Sequence, residues 1–183
     1  MFDSKKLPQL MYALHTIIVQ MKSEATQTNH RELADFLKTF EDLPLLLASN
    51  QDETEAIRQL IINAVQVDCM STRALDAFDE EEPPLLKLGQ IERDAMIRED
   101  KYRHAMYALH VFFVSMENNA GMAGDRRMST AFDYLEIIPE YILEKADKTE
   151  SIRELIKDLV NLYPNCSKAL ELLDQETPPI SEQ

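Results

Sequence analysis

The pentapeptide MYALH occupies residues 11–15 and recurs at 106–110, 95 positions further on. Sliding the sequence against itself by 95 extends the match far beyond those five letters. Val19 meets Val114, Met21 meets Met116, and Pro44 meets Pro139. TEAIRQLI at 54–61 meets TESIRELI at 149–156, and Pro83-Pro84 meets Pro178-Pro179. About 25 of 74 aligned pairs are identical without a gap, where chance gives a handful. The chain therefore reads as a tandem duplication, and whatever the first copy folds into, the second must fold into as well. The period is too long for the common solenoid families, and two copies are fewer than the three or more that such arrays need.

Each copy predicts about four helices. Three glycines in 183 residues leave little turn punctuation for a β-rich fold, and no alternating strand or hairpin dipeptide stands out. The first helix is expected from Pro8 to Glu24, with Pro8 suited to a first turn, and its counterpart from Met96 to Asn118, extending upstream towards Gln90. Asn29 and Glu32 have capping-box spacing, which predicts the next helix start at Asn29. Pro44 and Pro139 predict an interruption or a new start at the same place in both copies. A third helix is expected from Asp52 and Asp147, each with Glu three residues on, and a short fourth at 72–78 and 167–173. The domains expected are residues 1–84 and 85–183, with DEEEPP as an acidic linker and 178–183 as a frayed tail.

The repeated stretches LMYALHTIIVQM and AMYALHVFFVSM are apolar nearly all the way round. Such helices need cover on most sides, more than a unit of about 80 residues supplies by itself. The fold class expected is all-α. The two halves should pack about a pseudo-two-fold axis as one body, with the MYALH helices central.

The net charge of −14 repels phosphate backbones and anionic lipid, so neither direct nucleic-acid binding nor membrane docking is expected. It suits a basic protein partner or a homo-oligomer, although a halophilic source would give the same acidity. Lys5, Lys6 and the apolar run to Val19 imitate a signal peptide loosely. Pro8, His15 and Gln20 spoil the pattern, and the run is too short to span a membrane. Cys69 and Cys166 lack CxxC spacing and read as free thiols in a reducing cytoplasm.

His15 and His110, with Tyr12 and Tyr107, are the candidate ligand-binding residues, since two imidazoles meeting near an axis could hold a ligand or metal. Duplication alone guarantees their matching positions, however, and each could equally be a buried histidine bonded to a carbonyl. No HxxxH or ExxH pair supports a metal site, and the bulky residues after each histidine argue against phosphotransfer. Asp79, Glu80, Glu81 and Glu82 are the candidate partner-binding residues, set against a plain solvated linker. The loop NNAGMAGDRR, where the copies diverge, is expected to be a flexible connection bearing a small basic spot at Arg126 and Arg127. No cofactor is implied.

Three functions fit. The first is a non-enzymatic interaction or regulatory module, whose mark would be an exposed apolar patch of several hundred Å². The second is a small-molecule or metal-binding protein, or an enzyme, with its pocket between the halves near His15 and His110. The third is an acidic inhibitor or nucleic-acid mimic that binds a basic partner.

Overall fold

Nine α-helices and no strand form among the residues described by the computed structural model, which are 6–49, 53–68, 72–79, 100–144 and 146–175. Helix α1 (Leu7–Gln27) carries Pro8 in its first turn, where the missing N–H has no partner to lose. No residue of α1 from Leu7 to Ala25 is exposed, as its all-round apolar character requires. Its counterpart α6 (Asp100–Met122) buries Met106, Leu109, Phe112, Phe113 and Met116. The stretch 90–99, where the sequence suggests that α6 extends, lies outside the described residues, as do Asp52, the linker at 80–84 and the tail.

The cover over these two helices comes crosswise. Helix α1 packs on α2 (Arg31–Phe40), on α3 (Leu43–Ala48) and on α9 (Lys168–Asp174). Helix α6 packs on α7 (Arg126–Leu143) and on α5 (Thr72–Asp79). The last helix of each stretch thus closes over the first helix of the other. Direct contact between α1 and α6 is minor, so the MYALH helices are not each other's main neighbours. A ring cluster joins the two stretches. Phe40 stacks on Phe112 at 5.4 Å between centroids and meets Phe36 and Phe113 edge-on at 5.1 and 6.1 Å.

Helices α4 (Thr54–Val67) and α8 (Thr149–Leu162) begin and end 95 residues apart. Each sends an arginine to the last residue of the short helix that follows. Arg58 forks onto Asp79 at 2.9 and 2.7 Å, and Arg153 onto Asp174 at 3.0 and 2.9 Å. The Arg153 fork holds the Asp174 carboxyl below the usual range.

Three helix ends differ from expectation. Asn29 caps no helix by its side chain. It sits at φ 62°, and the bonds His30 N–H to Ala25 O (2.8 Å) and Asn29 N–H to Thr26 O (3.3 Å) make a Schellman stop for α1. The N-cap of α2 is His30, without a side-chain bond. The glycine loop is likewise no loose connection. Gly121 lies inside α6, and Gly124 at φ 77° closes the same motif, with Asp125 N–H to Ala120 O at 3.0 Å. Only Gly, and less readily Asn, adopts that backbone cheaply, which is why these two residues match. Finally, Pro44 opens α3 as expected, but Pro139 lies inside a continuous α7.

Candidate functional site

The histidines that the repeat singles out are held by backbone. His15 Nδ1–H donates to the Glu41 carbonyl at 2.7 Å, and His110 Nδ1–H to the Glu136 carbonyl at 2.8 Å. A carbonyl only accepts, so Nδ1 carries the proton in both rings. Each acceptor lies three residues before the matched proline, Pro44 or Pro139. Both histidines and both tyrosines are half-buried, and Tyr107 lies 6.1 Å from His110, centroid to centroid, on the same helix face. Among the described residues no hydrogen bond joins the two histidines, and no three His, Cys, Asp or Glu side chains converge to hold a metal ion. Burial raises the Glu136 carboxyl pKa, opposed by the nearby His110.

Of the proposed acidic cluster, Asp79 is engaged by Arg58, while Glu80, Glu81 and Glu82 lie outside the described residues. Cys166 is a buried free thiol that donates to the Tyr163 carbonyl, and burial pushes its pKa up to about 11. Cys69 lies outside the described residues.

The structure instead shows a cleft of about 800 Å³ where three helix ends meet. The first two turns of α2, the end of α4 and the last two turns of α6 line it. Its floor is Leu33, Phe36 and Met116, all buried. On its rim stand Val67, 48% exposed, and Met122, 79% exposed, the large apolar side chains that stand out most into solvent among the described residues. That is less apolar surface than an extended patch, but all of it borders one cleft. Among the described residues that line it, Glu32, Asp35 and Asp68 stand against one lysine or arginine, Arg31. Asp68 is buried and accepts a hydrogen bond from Ser115 Oγ. Helices α4 and α6 both end at the cleft, so two negative dipole ends meet one positive end from α2. The cleft is therefore a cation-attracting, partly apolar hollow.

The positions 95 residues on are filled differently. There Arg127 pairs with Glu24 of α1, and its guanidinium lies 4.4 Å from the Tyr163 ring centroid at the end of α8. Burial pushes the Tyr163 pKa up, and Arg127 opposes the shift. Between the two places His30 Nδ1 stands 3.4 Å from Asp125 Oδ2, an ion-pair distance without hydrogen-bond alignment.

No family model matches the chain, and no curated protein and no solved structure is significantly similar to it. No described helix is long and apolar enough to cross a membrane.

Sequence reasoning missed Glu32, Asp68, Val67 and Met122 as site residues. The signal that pointed nearest was the breakdown of the 95-residue sequence match at ATQTNHRE and NNAGMAGDRR, both of which line the cleft.

Proposed function

We propose that the chain is a tandem duplication, residues 1–84 and 85–183, whose halves pack about a pseudo-two-fold axis, and that it serves as a non-enzymatic module binding a basic protein partner in the cleft. Three observations support the architecture. The Arg–Asp forks, the histidine–carbonyl bonds and the Schellman stops all recur at a spacing of 95. The packing of α9 on α1 and of α5 on α6 exchanges under such an axis. His30 and Asp125 are matched positions, and matched positions can touch only near the axis that relates them.

The observation that carries the function is the coincidence on one cleft of Val67, Met122 and three carboxylates. Apolar rims with charged surroundings are what partner surfaces offer. A net charge of −14 steers a basic partner in and makes a second identical copy an unfavourable occupant.

Native mass spectrometry of protein purified gently from its source tests this. The expected result is a salt-sensitive complex with one basic protein, lost on Glu32→Lys/Asp35→Lys and kept on Glu154→Lys/Asp158→Lys, a charge change of the same size on α8. A bound small molecule or metal in place of a protein, or a complex indifferent to the cleft reversal, would refute it.

A further inference from the structure

We infer that the cleft reads an arginine side chain of its partner, whose guanidinium enters where Arg127 sits in the other half. This rests on the interaction reading above and names its chemistry. In the second half, α7, α8 and α1 meet at a junction that carries the chain's own guanidinium. Arg127 extends from the first turn of α7, lies over Tyr163 at the end of α8 and pairs with Glu24 near the end of α1. In the first half, α2, α4 and α6 meet in the corresponding way, and the three matched positions are Glu32, Asp68 and Asn119. The arginine is replaced by a carboxylate, the ring by a second carboxylate, and the paired glutamate by an amide. Without an arginine of its own at that point, the junction stays open as the cleft.

The charge reversal is informative because matched helix ends meet at both junctions. Two helix C-termini converge at each junction. In the second half that field is met by the chain's own guanidinium. In the first half the same field is reinforced by Glu32, with Asp35 one turn on, so an incoming cation is favoured and an anion is opposed.

Arginine fits better than lysine for two reasons. A planar guanidinium forks onto a carboxylate of a neighbouring element with two parallel bonds, as Arg58 does onto Asp79 and Arg153 onto Asp174 in this chain, whereas an ammonium is a compact, strongly hydrated point charge. Met116, Met122 and Val67 offer apolar cover for the aliphatic stem of a long side chain. The volume, about 800 Å³, accommodates an arginine together with an apolar neighbour on either side.

The test titrates three capped tripeptides, Leu-Arg-Leu and its lysine and citrulline counterparts, into the isotope-labelled whole chain at low salt, following backbone amide shifts. The arginine peptide should bind at one site and shift the amides of Glu32, Asp68, Asn119 and Met122. The lysine peptide should bind more weakly, and the neutral citrulline peptide at least about tenfold more weakly. Glu32→Arg, at an exposed position, should leave the helical circular dichroism unchanged and abolish binding, because it supplies the missing guanidinium. Arg127→Ala should open the second junction, raising the stoichiometry from one to two and adding shifts at Glu24 and Tyr163. Equal binding of all three peptides, shifts away from the cleft, no binding, or binding that survives Glu32→Arg would overturn the inference. So would self-association lost in Glu32→Arg, which would make a second copy the occupant. If the arginine inference fails while the charge reversal at residues 32 and 35 still releases the protein partner, the interaction reading stands alone. If that reversal releases nothing, the interaction reading has failed as well.

Discussion

Phe40→Ala should cost about 4 kcal/mol of folding stability. Phe40 is fully buried and touches three other rings, Phe36 on its own helix and Phe112 and Phe113 on α6. Truncating a buried phenylalanine to alanine costs about 3–5 kcal/mol, and each ring pair in stacked or edge geometry adds about 0.5–1.5 kcal/mol beyond area burial. Three such pairs place Phe40 in the upper part of the range. The cavity lies between α2 and α6, which cannot move together without breaking the packing of α1 and α5. With a urea m-value of about 2 kcal/mol/M, the midpoint should fall by about 2 M with m unchanged. The chain has no tryptophan, so far-UV circular dichroism is the suitable probe. Leu135→Ala, at the matched position 95 residues on, removes a buried aliphatic side chain and serves as the comparison. A loss below about 1.5 kcal/mol, within the range of surface or volume-conserving changes, would show that the ring cluster does not tie the two stretches together.

Gly124→Ala should cost about 1 kcal/mol, since alanine at φ 77° is strained even though nothing lies near its added methyl, whereas Asn29→Gly should be neutral or slightly stabilising; thermal melts of the two variants compare them. His110→Leu should destabilise by about 1 kcal/mol in urea titration, because the Glu136 carbonyl loses its donor, and should raise the Glu136 carboxyl pKa further, read by carboxyl-carbon NMR. Cys166 should resist iodoacetamide in the folded chain at pH 8 and react on unfolding. Its thiol ionises near pH 9 when unfolded and at about 11 when folded, so its contribution is fully present below pH 9 and is lost as pH rises towards 11; Cys166→Ala should remove that part of the alkaline fall.

The helices and the core were legible because they follow from patterns read over many residues. The all-round apolar run LMYALHTIIVQM has no solution except burial, and the recurrence of TEAIRQLI fixed α4 and α8 together. Helix ends were less legible because one residue decides them. Asn29 has both the chemistry of an N-cap and tolerance of the left-handed region, and only the bonds of His30 and Asn29 to the turn before reveal which property is used. Pro139 marked a break that α7 does not make, since neighbours on α6 hold the helix continuous. The candidate site was the least legible part. MYALH is conspicuous through its identity, and the bonds of its histidines to backbone carbonyls could not be read from it. The cleft lies where the 95-residue match fails, at positions 32, 68 and 119, which are scattered in sequence and become neighbours only once α2, α4 and α6 are placed.

The crosswise closure has a consequence for biosynthesis. Helix α1 leaves the ribosome long before its cover α9, which begins at Lys168. At about 5–20 residues per second, synthesis of the intervening chain takes roughly 7–28 s. During that interval one of the most apolar segments of the protein lacks part of its shelter. Helix α6 emerges into the opposite situation, because α5 has already been made. The nascent chain therefore passes through a stage in which its second central helix is closed and its first is not, and that is the stage at which a chaperone that binds apolar helices would find it.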